Sequence, residues 1–228
     1  MKLLLTDGGL LYLQGIEGSY VREIDVDIIG YESGGYVLDK TIMHYQGGGQ
    51  PGDRGTILAG NLTIPIYNVK KKGKKIVHLS EVETDVKSGK LILDWERRYK
   101  IMKMHSLQHA LSAVIFKDGF SSLVTEVFPA YGYIETDSDG IKLRREGYSI
   151  NKIARDIKRY NVSRENLDQK LMARCNLDRL PKSIDEVSVV EIADMDTCAC
   201  AGTHVKNTSE IGNYWVRTPG KRVEFGLF

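Results

Sequence analysis

Residues 91–116, LILDWERRYKIMKMHSLQHALSAVIF, are where the texture of the chain changes. Ile101, Met104, Leu107, Leu111, Val114 and Ile115 recur at spacings of three and four, which puts them roughly on one side of a helix. Asp94 stands just before them as an N-cap whose carboxylate can accept a first-turn amide. Upstream, short β-branched and aromatic runs at residues 21–29, 36–43, 56–66 and 75–79 are split by turn residues, the pattern of a small antiparallel β-barrel. Downstream, strand-like runs at 122–128, 131–136 and 141–144 precede helical patterns at 151–160 and 164–175, and strands at 187–193, 214–217 and 222–226 close the chain. The expectation is an α+β protein: residues 1–90 form a glycine-rich β-barrel domain, and residues 91–228 form an α/β domain with helices on one face of a mostly antiparallel sheet.

The 228 residues include 42% hydrophobic ones, which places the chain among globular proteins able to bury a core. Lys and Arg number 32 against 30 Asp and Glu, so neither a polycation nor an acidic tail protein is at hand. That balance is a cancellation between segments. Residues 1–69 hold four basic and eight acidic residues, Lys70–Lys75 carry five lysines, and residues 142–174 hold ten basic against four acidic ones. The lysine run reads as a solvated hairpin tip or an RNA contact. Lys71, Lys72, Arg144, Arg145, Arg155 and Arg159 are the candidate RNA-binding residues. Three cysteines are too few for a disulfide scaffold and fit a reducing cytoplasm. Asp7 breaks the opening apolar run too early for a signal peptide, and nothing approaches the ~18 apolar residues of a membrane span, so no membrane partner is expected.

His105 and His109, four apart on the expected helix, share a face and can share a metal. Cys200-Ala201-Gly202-Thr203-His204 offers a sulfur and a nitrogen across a glycine turn. Each half alone is weak, but together they make a set suited to a borderline-soft ion such as Zn²⁺ rather than Mg²⁺ or Ca²⁺. Cys198 is a fifth contender, and Cys200 is preferred because His204 is within reach of it. His44 and His78 lack partner spacing and read as structural. Four protein ligands resemble a closed structural zinc, whereas catalytic zinc usually keeps one position open, so the set alone does not establish catalysis. A zinc deaminase is excluded by the absence of His-x-Glu with Pro-Cys-x-x-Cys.

The loop Gln46-Gly47-Gly48-Gly49-Gln50-Pro51-Gly52-Asp53-Arg54-Gly55 formally contains G-x-G-x-x-G. The next segment, residues 56–66, is strand-like rather than helical, so no helix N-terminus waits for a pyrophosphate and the dinucleotide reading fails. Two readings remain: a tight turn, or a backbone wall close to a ligand in which the Gln50 amide orients a carbonyl or a water.

In order along the chain, Gly48-Gly49-Gln50-Pro51-Gly52-Asp53-Arg54-Gly55, Asp94-Trp95-Glu96-Arg97-Arg98, His105-x-x-x-His109, Cys200-Ala201-Gly202-Thr203-His204-Val205 and Thr208-x-Glu210-Ile211-Gly212 resemble the alanyl-tRNA editing proteins, the AlaX family. These are free-standing relatives of the editing domain of alanyl-tRNA synthetase, and the glycine-rich N-terminal region is similar to that of the medium-length form. The resemblance implies an aminoacyl-tRNA hydrolase: zinc-dependent ester hydrolysis of tRNA(Ala) mischarged with serine and, secondarily, glycine. It implies zinc on His105, His109, Cys200 and His204, and an editing pocket bordered by Gly48, Gly49, Gln50 and Thr203, with Gln50 also catalytic. Thr125, on the strand after the zinc helix, is the residue expected to contact the serine hydroxyl. The family's Cys-Gly-Gly-Thr-His reads Cys-Ala-Gly-Thr-His here. The competing expectation is a non-catalytic RNA-binding module with a structural zinc.

Overall fold

The computed structural model describes residues 9–143, 145–168, 174 and 185–228, with residues 145 and 146 described in their backbone alone. By its internal contacts the chain divides into two units, Met1–Lys100 and Ile101–Phe228, ten residues beyond the expected boundary.

In the first unit seven strands, β1 (Glu23–Glu32), β2 (Gly35–Leu38), β3 (Gly55–Ala59), β4 (Leu62–Ile66), β5 (Asn68–Lys72), β6 (Lys75–Leu79) and β7 (Ser88–Leu93), form one antiparallel sheet in the order β4-β3-β7-β1-β2-β6-β5. The sheet curls round a core that includes Tyr36, Leu38, Met43, Ile57, Ile64 and Leu91, each wholly buried and contributing about 1.5–3 kcal/mol. β4 and β5 remain edges, so the expected barrel is not closed. The run at 56–66 is two strands, because Gly60, at φ +60°, turns the chain between them. Lys70–Lys75 do form a hairpin tip, turning at Gly73.

The glycine loop is held by the start of a helix. Gly47 and Gln50 exchange backbone hydrogen bonds of 3.0 and 3.1 Å around Gly48 and Gly49, both at positive φ, a two-residue turn that needs glycine. A Cβ on Gly52 would lie 2.2 Å from Asn68 Oδ1. The Arg98 guanidinium, wholly buried, binds both Asp53 oxygens and donates to the carbonyls of Ser19 (3.0 Å) and Ile42 (2.7 Å). Asp53 in turn accepts from the His44 amide at 2.6 Å. Arg97 donates to the Gly52 carbonyl at 2.9 Å. His78 is also buried: Nδ1 donates to the Tyr36 carbonyl at 3.2 Å and Nε2 accepts from the Thr41 hydroxyl at 2.8 Å, as expected of a structural histidine.

Helix α1 (Trp95–Lys117) is capped by Asp94, whose Oδ1 accepts from the Arg97 amide at 3.1 Å. From Ile101 to Ile115 every residue except Lys103 is buried, so the helix is enclosed rather than one-sided. Its polar residues are tolerated inside because they have partners, as in Gln108 to Ser112 at 2.8 Å.

In the second unit, β10 (Ile157–Ser163), β11 (Glu186–Ile192) and β12 (Asp196–Ala199) form one antiparallel sheet, and β13 (Tyr214–Arg217), β14 (Arg222–Leu227), β9 (Gly132–Thr136) and β8 (Ser122–Val127) form another in that order. β10 corrects the helix expected over 151–160. Ile153, Ile157 and Tyr160 mimic helical spacing, but Ile157 and Arg159 are buried while Lys158 and Tyr160 are exposed, a strand's alternation in register with β11 (Ile157 opposite Ile192, Arg159 opposite Val190). The strand expected over 141–144 is absent at residues 141–143, and Arg144 lies outside the described residues. The helix expected over 164–175 begins instead as one 3-10 turn, Arg164–Asn166, and most of its remainder is likewise outside them. The architecture is α+β: α1 is the one long α-helix among the described residues, beside mostly antiparallel sheets, and Arg174, within the stretch expected to be helical, is helical as well.

Thr208–Ile211 is a short 3-10 helix with a complete capping box: Asn207 Oδ1 accepts from Ser209 N at 2.9 Å and Glu210 Oε1 from Asn207 N at 3.2 Å. No helix among the described residues is long and apolar enough to cross a membrane.

Candidate metal centre

His105 and His109 project from α1 one turn apart, and Cys200 and His204 lie in the loop after β12. One ligand atom from each falls within 4.8 Å of the other three. The Cys200 sulfur is 3.3 Å from His204 Nε2 and 3.7 Å from His105 Nε2. Those distances bracket the about 3.6 Å that tetrahedral bonds near 2.1 and 2.3 Å would leave between nitrogen and sulfur. All four side chains that the spacing singled out are thus brought together, and two nitrogens are already aimed.

The outer ring nitrogens are held by groups that the spacing did not reveal. Asp196 Oδ2 lies 3.0 Å from His109 Nδ1 and accepts its proton, leaving Nε2 for a metal. Arg174 donates to the same carboxylate oxygen at 2.6 Å. Ser106 Oγ lies 3.2 Å from His204 Nδ1 and accepts from the Val205 amide at 3.1 Å, which ties the loop to α1. In sequence, Ser106 is only His105's neighbour and Asp196 merely precedes the Cys-Ala-Cys run, so no spacing rule marks either residue.

The loop has its own support. Gly202 N donates to the Cys200 sulfur at 3.3 Å and Cys200 N to the Ser188 carbonyl at 2.9 Å. Arg159, expected among the RNA contacts, is only 7% exposed and donates to the carbonyls of Cys200 and Gly202 and to Ser188 Oγ. That expectation is corrected: the side chain lies beneath the loop because the β10 alternation turns it inward. Cys198 is disulfide-bonded, which removes it from the donor set and departs from an all-reduced chain; Cys200 is the free thiol among the described residues.

Without a cation, burial pushes the Cys200 thiol upward, but the imidazoles of His105, His204 and His109 outweigh it and hold the group well below the usual thiol range. Burial lowers His105 and lowers His204 strongly. Burial also works against the protonated form of His109, yet the Cys200 charge and the Asp196 hydrogen bond prevail and carry it up to about 9. The Cys200 thiolate and the neutral His105 and His204 are in the form that coordinates a metal ion, whereas His109 must give up a proton when one binds.

Of the other site residues, Thr203 is wholly buried between Cys200 and His204. Thr125 is half-buried on β8, opposite Ile134. Gly48, Gly49 and the buried Gln50 form the turn in the first unit. Lys71 and Lys72 are exposed on the β5–β6 hairpin, Lys71 Nζ 5.7 Å over the Tyr45 ring and Lys72 donating to the Ser33 carbonyl at 2.8 Å. Arg155 is half-buried. Arg144, and the side chain of Arg145, lie outside the described residues.

Residues 187–215, which carry β12 and the metal loop, match the family described as "Threonyl and Alanyl tRNA synthetase second additional domain". Over 214 residues the chain is 35% identical to the alanyl-tRNA editing protein AlaX-L of Pyrococcus horikoshii, a match covering 85% of this chain and 50% of that protein. It is 30% identical over 228 residues to the alanine–tRNA ligase of Ignicoccus hospitalis, covering 92% of this chain and 25% of the ligase. The corresponding ligase of Hyperthermus butylicus is 28% identical over 207 residues, covering 86% and 22%. The chain spans about half the length of the first of these relatives and about a quarter of the ligases.

Proposed function

Since this chain is a relative of the alanyl-tRNA editing proteins, we propose that it is an aminoacyl-tRNA hydrolase that clears tRNA(Ala) mischarged with serine and, secondarily, with glycine. The observation that carries the reading is the convergence of His105, His109, Cys200 and His204, within the region similar to editing proteins and ligases alike. The donor set fits Zn²⁺, with His105, His109 and His204 each offering Nε2 and Cys200 its sulfur. Zinc, when bound, supplies a Lewis acid that polarises or orients the ester carbonyl.

The rest of the work falls to the chain. An aminoacyl ester is already activated, so water adds at its carbonyl and the ribose hydroxyl leaves, with no covalent enzyme intermediate needed. Gln50 orients that carbonyl or the water through its amide, and Gly48, Gly49 and Thr203 are further substrate contacts. Thr125 pairs with the serine hydroxyl. A site that hydrogen-bonds a hydroxyl rejects the analogue lacking it by factors of order 10⁴, which is how alanyl-tRNA is spared. Lys71, Lys72, Arg144, Arg145 and Arg155 hold tRNA phosphates. This substrate places the protein in the cytoplasm.

Deacylation of seryl-, glycyl- and alanyl-tRNA(Ala) by the wild type, Cys200→Ala and Thr125→Val tests the reading. The wild type is expected to hydrolyse the seryl ester well ahead of the alanyl ester, Cys200→Ala to lose activity by at least 100-fold, and Thr125→Val to narrow the seryl-to-alanyl ratio. Equal hydrolysis of all three, or none, would refute editing; no hydrolysis with zinc tightly bound would favour an RNA-binding module with a structural zinc.

A further inference from the structure

We propose that Arg159 is a positioning residue for the zinc loop, setting the Cys200 to His204 geometry through the loop's carbonyls. The inference rests on the metal reading above and extends it to a residue outside the ligand set. Arg159 lies on the buried face of β10. One terminal nitrogen reaches Ser188 Oγ at 2.6 Å and the Cys200 carbonyl at 3.1 Å, and the other reaches the Gly202 carbonyl. These acceptors are neutral. Burying a guanidinium there carries a desolvation cost that these bonds to the loop help to offset.

Holding the Cys200 carbonyl fixes the peptide plane between Cys200 and Ala201, and holding the Gly202 carbonyl fixes the one between Gly202 and Thr203. That determines how the chain turns between Cys200 and His204, whose ligand atoms sit 3.3 Å apart. The Ser188 carbonyl accepts from Cys200 N while the Ser188 hydroxyl meets the guanidinium, so both anchors of the loop converge on one residue of β11. A lysine of similar reach has one ammonium in place of the planar fork and cannot hold three acceptors in that arrangement.

The test is zinc affinity by chelator competition, together with the thiolate-to-cobalt charge-transfer band of the Co²⁺-substituted protein, in wild type, Arg159→Met, Arg159→Lys and Ser188→Ala. Both arginine variants are expected to weaken zinc binding 10- to 100-fold and to shift or weaken the band, with Ser188→Ala giving a smaller loss. Folded Arg159→Lys with affinity within twofold of wild type and an unchanged spectrum would overturn the inference. If neither arginine variant folds, Ser188→Ala decides, and unchanged affinity and band there would overturn it. A wild type that binds no zinc would overturn the metal reading and this inference with it, which separates the two failures.

Discussion

Asp196 shows how much of a metal centre lies one residue beyond its ligands. Its carboxylate fixes which nitrogen of His109 faces inward and is itself held by Arg174. Asp196→Ala is expected to weaken metal binding by 10- to 100-fold while the four ligands remain, as measured by chelator competition. His78 shows the opposite use of a buried imidazole. Burial, opposed by the Tyr36 carbonyl and Asp53, holds it down to about 4, against 6.5 when unfolded. Between those values the unfolded chain binds the proton that the folded chain refuses, so stability is complete above pH 6.5 and drains as pH falls toward 4. From pH 7.5 to 5 this one group removes about 2 kcal/mol. Denaturant midpoints of wild type and His78→Gln at both pH values should differ in their pH dependence by that amount; parallel losses would show that His78 does not titrate as described.

At the scale of elements, α1 was readable because its cap and its apolar spacing agree, and its observed start confirms Asp94 as the cap. Its enclosure was not readable. His105, Ser106, Gln108, His109 and Ser112 look like a solvated face, and only partners far along the chain make them interior residues. The four metal ligands were legible because local spacing carried them, two on a helix and two across a glycine turn. β10 is hidden in the sequence because its inward position 159 is a charged residue, and an alternation rule that counts apolar side chains registers it as outward. The glycine loop and the Asp94–Arg98 segment looked like separate motifs, and the structure joins them through Arg98 and Asp53. That pair is wholly buried, so Arg98→Met, which strands the Asp53 carboxylate, should cost the first unit about 3–5 kcal/mol, whereas Arg98→Met with Asp53→Leu should cost less. Equal losses in chemical denaturation would mean that the charges are not coupled.

Across the whole molecule, the sequence motifs divide by purpose. Asp53, Arg98 and Glu210 serve architecture, the last by closing a capping box, while His105, His109, Cys200 and His204 gather potential chemistry. Charge is partitioned as well: the lysine-rich β5–β6 hairpin lies exposed in a unit whose first 69 residues are net acidic, and two of the ten basic residues of 142–174, Arg159 and Arg174, are turned toward the metal centre.

The pairing of β10 with β11 also bears on how the protein fares in a cell. Arg159 meets Ser188 and the loop carbonyls in one register only, with Val190 opposite. A slip of one residue would turn Lys158 and Tyr160 inward and push Ile157 and Arg159 out. The slipped chain would then show an apolar residue to solvent and leave the loop carbonyls unclaimed. Chaperones and proteases act on such exposed surface, so a slipped copy is expected to survive less well than one in register.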